Sequence, residues 1–140
     1  MGRVEIRELR EDDGTAIRSL WVASGIHLRP GDDDASLAAM ALRNPGLCIV
    51  GCERTRIVAT ALAGFDGRRA WLYHVATDPE MRRRGIATRM VHALEDRLRD
   101  LGCLKVNLIV WETEEDAMRF WEALGYDREK SVEYGKWLAR

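Results

Sequence analysis

The sequence predicts an α/β protein built on a mixed β-sheet that is covered by helices. Short apolar runs and helical stripes follow one another in the order β-α-α-β-β-β-α-β-α-β. Three of the strands, within 47–77, are linked by short turns and should pair antiparallel. A long helix then separates the third of them from the next strand, which should be its parallel neighbour. With 140 residues, 46% of them hydrophobic and 32% charged, the chain is predicted to form a single domain over residues 1–140.

The first third of the chain predicts one strand and two helices. Alternating apolar and charged residues predict a strand at 3–9, and a helix should run from Asp12 or Asp13 to about Ser24. A loop at 26–34 contains a Pro-Gly turn signal, and the aspartates Asp32–Asp34 at its end place negative charge where the N-cap and first turn of a helix favour it. A second helix, at about 34–43, should end before the next proline.

The middle of the chain predicts a three-stranded meander. Strands are expected at 47–53 and 56–64, with only two residues between them. Asp66-Gly67 is a hairpin signal, and the strand that follows it should end near residue 77.

The last part of the chain predicts two helices and two more regions of strand. A long amphipathic helix should span about 85–101, and a strand should follow at 104–110. Thr113–Asp116 is typical of a capping box that opens a helix. The residues from Tyr126 to Leu138 are expected to return as one or two strands.

Charge and composition exclude several classes of function. The net charge is −1, so no overall field favours nucleic acid or an anionic membrane. No apolar run approaches the roughly 20 residues that span a bilayer, and the N-terminal segment lacks the apolar centre of a signal peptide. An odd count of three cysteines indicates reduced thiols and a cytoplasmic protein. Cys48 and Cys52 should share a strand face, where small buried side chains are a better interpretation than metal ligands.

The stretch from Trp71 to Met90 has the features of an anion site. A buried strand is followed by Asp-Pro, three arginines and a glycine that opens the long helix. A helix N-terminus offers amide N–H groups without intrahelical partners, together with positive potential. Arginines are unfavourable at that end of a helix unless an anion is bound there. The spacing matches neither the Walker loop nor the dinucleotide fingerprint.

Two segments of the sequence resemble the GNAT superfamily of N-acetyltransferases. The run Arg82-Arg83-Arg84-Gly85-Ile86-Ala87 matches the family's Gln/Arg-x-x-Gly-x-Gly/Ala signature. Downstream, the segment that begins at Ala117 and ends at Gly125-Tyr126 resembles its Ala-x-x-Phe-Tyr-x-x-x-Gly-Phe segment. The predicted order of strands and helices is also that of the family, and the resemblance covers nearly the whole chain. Within the family, the chain looks most like small stand-alone bacterial enzymes of unassigned substrate.

The resemblance implies an acetyl-CoA site with no metal. Backbone N–H groups of residues 83–88 would hold the pyrophosphate, with the arginines adding affinity. The strand before them would carry a bulge, diverge from the 104–110 strand, and pair with the pantetheine arm. A backbone N–H near Val75 would face the thioester oxygen. The implied cofactor-binding residues are Val75, Ala76, Thr77, Arg82, Arg83, Arg84, Gly85, Ile86, Ala87, Thr88 and Trp121.

The resemblance also implies direct attack of an amine on the thioester, which needs a base and allows an acid. Trp121 occupies the position where the family commonly has a tyrosine as the acid, and an indole is no practical acid. The proton would then come from Tyr126, Tyr134, Tyr73 or water. Base candidates are Glu112 next to Trp111, Asp66 and His74. For Asp66 the turn alone explains the residue, and for His74 a core side chain bonded to backbone is the favoured interpretation.

Three functions are compatible with these features. The leading one is transfer of an acetyl group to an amine of a small molecule or a peptide. The second is a CoA-binding module with weak or no catalysis, which the Trp121 substitution suggests, and the third is an unrelated phosphate-binding domain. The acceptor pocket is expected around 21–31, with Trp21 as pocket or core and with His27, Leu28 and Arg29. The final strand, with Tyr134 and Trp137, could pair or pack across a homodimer.

Overall fold

A computed structural model describes residues 3–139 as two compact units, the first ending at Ile109 and the second beginning at Val110. The first unit holds β1 (Val4–Glu8), α1 (Gly14–Ala23), α2 (Asp34–Arg43), β2 (Cys48–Glu53), β3 (Arg56–Phe65), β4 (Arg69–Thr77), α3 (Ile86–Asp100) and β5 (Lys105–Asn107). Short 3-10 turns cover Glu11–Asp13 and Pro79–Met81. The second unit holds α4 (Glu115–Ala123).

The five strands form one mixed sheet in the order β1-β2-β3-β4-β5. The first four strands pair antiparallel, and β5 pairs parallel to β4. The predicted meander and the parallel crossover through α3 are therefore confirmed. A two-residue link joins β2 to β3, with Arg54 at a positive φ of 58°. The second hairpin turns at Asp66-Gly67, where Gly67 has φ 98°.

Helices cover both faces of the sheet, and side-chain alternation along β2 sets the two faces apart. Val50 belongs to a buried cluster with Ile17 and Trp21 of α1 and with Leu37 of α2. On the opposite side, the Cβ position of Gly51 lies 3.3 Å from the Met90 sulfur of α3. The apolar stripe of α3 is buried as predicted at Ile86, Met90, Leu94 and Leu98, whereas its last member, Leu101, is exposed because the helix ends at residue 100.

The start of α1 differs in detail from the prediction. Asp13 precedes the helix, but its carboxylate does not cap it. The carboxylate instead accepts bonds from the Arg7 guanidinium, at 2.8 and 3.0 Å, and from the Arg10 amide at 2.7 Å. Burial on its own would raise the pKa of Asp13, but these bonds outweigh burial and the pKa is lowered. At α2 the predicted cap forms, because Asp33 accepts from the amide of Ser36.

Two strand predictions for the C-terminal part were wrong, one in its length and one altogether. The strand predicted at 104–110 is reduced to three residues, and no strand occurs within 126–138. A strand is stabilised by a partner, and no sheet neighbour within residues 3–139 pairs with this last segment. Tyr134 and Trp137 are 92% and 65% exposed. The capping box predicted at Thr113–Asp116 is also absent, since Glu114 precedes α4 without a side-chain cap bond.

Cys48 and Cys52 join the buried cluster of β2, α1 and α2, so they share a face as predicted. Burial raises the pKa of Cys48 to about 11. Among residues 3–139, no group of three His, Cys, Asp or Glu side chains is arranged to hold a metal ion. In the same range, no helix combines the length and the apolar character needed to cross a bilayer.

Candidate active site

A bulge interrupts the pairing of β4 with β3. Thr60 lies opposite Ala76, whereas Leu62 lies opposite Tyr73, so two residues of β4 face one residue of β3. His74 is the first of the two and has a left-handed φ of 47°. Such a backbone costs about 1–2 kcal/mol in a non-glycine residue and marks a site that its surroundings must hold in place.

The carbonyl of the bulge residue accepts a hydrogen bond from a side chain of the core. Thr60 Oγ1 donates to the carbonyl oxygen of His74 over 2.8 Å. The same hydroxyl accepts a bond from Trp21 Nε1, also 2.8 Å long. Trp21 and Thr60 are both fully buried. Sequence reasoning missed Thr60, although a threonine among alanines and apolar residues of a buried strand was a signal that its hydroxyl had a partner.

The side chain of His74 contacts an aspartate of the α1–α2 loop. His74 Nε2 lies 2.8 Å from Asp32 Oδ1, and the ring packs edge-on against Trp21 with centroids 4.3 Å apart. The interpretation of His74 as a core histidine bonded to backbone was therefore wrong. The ring is half-buried and has a carboxylate partner. Asp32 was missed because three consecutive aspartates before a helix were read only as helix-capping charge.

Beyond its first three residues, β4 has an open edge. Its pairing with β5 covers only Arg69–Trp71, opposite Lys105–Asn107. No other strand within residues 3–139 pairs with 72–77 on that side. At the end of β4, the Ser24 hydroxyl donates to the carbonyl of Thr77 over 3.1 Å. The predicted bulge is thus present, and the pairing of β4 with β5 ends after Trp71.

The loop from β4 to α3 is anchored at its start. The Asp78 carboxylate accepts from the Glu80 amide at 2.9 Å and pairs with Arg56. The Asp78 amide donates to the Val58 carbonyl at 2.8 Å, and Met81 is buried. This anchoring fixes where the arginines and the start of α3 lie relative to β4.

The end of the same loop is shaped to receive an anion. Arg83 and Gly85 both have positive φ, at 66° and 73°. Such alternation turns successive amides toward one concavity. The first bond of α3 runs from Arg89 N–H to the Gly85 carbonyl, so the amides of residues 86–88 precede any intrahelical acceptor.

The surroundings of Gly85 fit a phosphate-bearing group. Apart from its two chain neighbours, no residue of the described range 3–139 places a heavy atom within 4 Å of the position that a Cβ of Gly85 would take. The side chains of Arg82, Arg83 and Arg84 are exposed, and none of the three takes part in the ion pairs found within residues 3–139. Arg84 rests its guanidinium 3.3 Å from the Met81 sulfur. Space, unpaired amides and unneutralised positive charge coincide here, as an anion requires.

The region predicted to hold the acceptor divides into core and surface. Trp21 is fully buried, so it belongs to the core. Leu28 and Arg29 line an open depression of about 560 Å³ together with Arg18, Pro30 and Asp32–Asp34. His27 is exposed and is not among the residues lining it.

Two further candidates from the sequence are Asp66 as a base and Tyr73 as an acid. Asp66 accepts from the amides of Arg68 and Arg69, both at 2.9 Å, and these bonds lower its pKa. It is committed to the turn, as predicted. Tyr73 precedes His74 on β4, and burial raises the pKa of its phenol, so it keeps its proton.

In the second unit, α4 presents a small aromatic cluster. The buried ring of Trp121 meets Phe120 and Tyr126 edge-on, each with a centroid distance of 5.0 Å. The Tyr126 amide also donates to the Trp121 carbonyl at 3.0 Å. Glu112 and Tyr134 are exposed on irregular segments of this unit.

Comparison with known proteins agrees with this geometry. The model of the acetyltransferase (GNAT) family matches residues 5–126. An acetyltransferase of Pectobacterium atrosepticum is 32% identical over 136 residues, which cover 96% of each chain. An acetyltransferase of Photorhabdus laumondii is 33% identical over 138 residues, again 96% of each chain. The crystal structure of the PaiA N-acetyltransferase of Thermoplasma acidophilum in complex with coenzyme A shares the fold, with a TM-score of 0.84, 17% identity and 93% of each chain covered.

The chain therefore belongs to the GNAT family. It is an N-acetyltransferase, and acetyl-CoA is its co-substrate.

Proposed function

We propose that this protein transfers the acetyl group of acetyl-CoA to a primary amine of a small molecule or a peptide, by direct attack in a ternary complex. The observation that carries the proposal is the juxtaposition on β4 of an open edge, a bulge at His74, and a histidine–aspartate pair. These features bring together a groove for a thioester arm, an unusual peptide orientation and a group able to take up a proton.

The cofactor side of the proposal uses β4 and the loop after it. Acetyl-CoA, when bound, supplies an electrophilic thioester carbonyl. Backbone amides from Arg83 to Thr88 would bind its pyrophosphate, and the side chains of residues 82–84 would add positive charge. Backbone groups of Val75, Ala76 and Thr77 would pair along the open edge. The Val75 N–H would face the thioester oxygen, where negative charge develops. Trp121 is retained as a proposed cofactor contact.

We favour His74 as the base. Asp32 engages Nε2, which favours the tautomer with its proton on that nitrogen and leaves Nδ1 as the acceptor. A base held by a carboxylate is an arrangement that suits proton removal from an amine. Glu112 remains the alternative. Tyr126 and Tyr134 remain the proposed acids, with Tyr126 favoured because its ring packs on Trp121.

The acceptor is proposed to enter from the depression beside the α1–α2 loop. Leu28 and Pro30 offer apolar contact there, and Asp32–Asp34 offer negative charge that suits an amine in its protonated form.

A cytoplasmic location is proposed as well, which the three free cysteines support. The homodimer remains a prediction.

Two measurements test the function in sequence. Calorimetric titration with acetyl-CoA should give binding at micromolar concentration, and absence of binding at tens of micromolar would overturn the cofactor assignment. Release of free thiol should then be followed across a panel of small amines and lysine peptides. If acetyl-CoA binds but none of the amines causes release of thiol, the result would favour a CoA-binding module over an enzyme.

A further inference from the structure

The bulge on β4 is connected to helix α1 by two buried hydrogen bonds with a fixed direction. An indole N–H can only donate, so Thr60 Oγ1 must accept from Trp21. The hydroxyl then has its single proton left for the carbonyl of His74. Both bonds are 2.8 Å long. The chain Trp21 to Thr60 to His74 carbonyl, here called the relay, is therefore fully satisfied.

The relay determines the orientation of one peptide unit. A trans peptide carries its C=O and its N–H on opposite sides. The peptide between His74 and Val75 turns its carbonyl toward Thr60 on β3. Its N–H, which belongs to Val75, is consequently directed away from the Thr60 hydroxyl. On the side of β4 opposite β3, the pairing with β5 ends at Trp71.

The arrangement carries two energetic costs, a left-handed backbone at His74 and a buried hydroxyl at Thr60. His74 adopts a left-handed backbone that a β-strand does not need. Thr60 places a hydroxyl in the core, flanked along β3 by Ala59 and Ala61, all fully buried. A valine would fill the same volume without any polar group to satisfy. The hydroxyl is useful only through the two bonds it makes.

We propose that Trp21 and Thr60 are positioning residues that aim the Val75 N–H at the thioester oxygen. This inference rests on the proposed function, in which that N–H stabilises the developing negative charge. Neither side chain touches the substrate. They act through the His74 carbonyl, and the energy of two core hydrogen bonds holds the bulge in its strained form.

Three variants test the relay. Thr60→Val keeps the shape and removes both bonds, Thr60→Ser keeps the hydroxyl, and Trp21→Phe removes only the first donor. Val4→Ala is the matched control, because it truncates a buried side chain at the opposite edge of the same sheet. For each variant, the Val75 amide resonance and its hydrogen exchange are measured by NMR in the ligand-free protein. Urea unfolding, the Kd for acetyl-CoA, kcat and KM complete the set.

In Thr60→Val the Val75 resonance should move and kcat should fall tenfold or more, with the Kd for acetyl-CoA within twofold of wild type. Thr60→Ser should recover kcat to within threefold, and Trp21→Phe should fall between the two. Val4→Ala should lower the urea midpoint but leave the Val75 resonance and kcat in place.

Two results would overturn the relay. One is an unmoved Val75 resonance in Thr60→Val, and the other is a moved resonance with kcat unchanged. Failure of the proposed function gives a different pattern, namely a wild-type protein that binds no acetyl-CoA or acetylates no amine. In that case the NMR comparison still reports whether the relay orients the peptide.

Discussion

Asp32 and His74 lie 42 positions apart in the chain and are joined by a hydrogen bond of 2.8 Å between Oδ1 and Nε2. Asp32 also accepts from the Arg29 amide at 3.0 Å, so one carboxylate both closes its own loop and contacts β4. The α1–α2 loop, beside the depression proposed for the acceptor, is thereby connected to the bulge proposed for catalysis. A change in either partner should affect the reaction more than the fold.

Removing the imidazole tests its role as base. His74→Gln should lower kcat about 100-fold, since positioned general bases contribute on the order of 10²–10⁴-fold. Asp32→Asn should lower kcat less, by about tenfold, because the imidazole stays but loses its orientation. Steady-state kinetics at one fixed pH provide the measurement.

Asp66→Asn serves as the control for this pair, because Asp66 is a carboxylate committed to its turn. Its kcat should stay within twofold of wild type. A kcat within twofold of wild type in His74→Gln, combined with a 100-fold loss of kcat in Glu112→Gln, would assign the base to Glu112 instead.

The glycine that opens α3 should be essential for cofactor affinity. In Gly85→Glu the carboxylate would enter the open space at the start of the helix and repel a pyrophosphate, and the φ of 73° would be strained. We expect the Kd for acetyl-CoA to rise at least 30-fold by calorimetry.

Gly102, at the other end of α3, is a close match for Gly85. It has φ 83° and likewise no atom within 4 Å of a Cβ position. Gly102→Glu should cost similar stability in urea but leave the Kd unchanged. Equal losses of affinity in the two variants would mean that backbone strain, rather than phosphate contact, is the cause.

The Arg7–Asp13 pair should make stability depend on acid pH. The Asp13 pKa is lowered in the folded state from its ordinary 3.8. Its stabilising contribution is therefore complete above the unfolded pKa and disappears as pH falls through the folded pKa. At pH 7, Asp13→Asn should lower the free energy of unfolding by about 1.5–3 kcal/mol, the range for bonds to charged groups. The two proteins should converge in urea unfolding experiments at acid pH, once the pH lies below the lowered pKa of Asp13.

Asp34→Asn is the comparison for this effect, because the Arg18–Asp34 pair is solvent-exposed on its acidic side. Exposed pairs contribute about 0–1 kcal/mol. A loss in Asp34→Asn as large as that in Asp13→Asn would contradict the assignment.

The three thiols should differ in reactivity. Burial raises the pKa of Cys48 to about 11, so little thiolate exists at pH 8. Cys103 is only partly buried. Iodoacetamide at pH 8 should therefore modify Cys103 first, with Cys48 and Cys52 reacting only after unfolding in urea. Mass spectrometry of the intact protein gives the number of modified cysteines at each time. The fast reaction should be absent in Cys103→Ser. Modification of Cys48 as fast as Cys103 would be inconsistent with the buried thiol.

Sequence patterns predicted most of the first unit because each of its elements carries its own local signal. The α3 stripe and the Asp66-Gly67 turn each show periodicity or turn chemistry within a few residues. The prediction of a final strand was wrong because it depended on local residues alone. Residues 126–138 have strand-forming side chains, but no strand within residues 3–139 pairs with them. Pairing is a tertiary property, and local propensity does not contain it.

In the candidate site, too, residues that are adjacent in the sequence were predicted, whereas contacts between distant residues were not. The loop of Arg82–Gly85 was found because its residues are adjacent in sequence. The contacts of Asp32 with His74 and of Trp21 with Thr60 span 42 and 39 positions, and nothing local pairs them. For His74 the sequence even favoured the wrong partner, a backbone group. Most of the fold and the anion-binding features of the loop could thus be predicted from local patterns, whereas the contacts of His74 and Thr60 required the packed structure.

The edge of β4 at residues 72–77, which no strand of the described range pairs on the β5 side, has a consequence outside catalysis. An exposed strand edge is a template on which another chain can add. A cofactor arm that pairs along this edge would block the addition of another chain. The ligand-free protein should therefore aggregate more readily than the CoA-bound protein. Protein kept at high concentration with CoA should remain dispersed longer than protein stripped of it, because the same amides that would receive the pantetheine are then withheld from a second copy of β4.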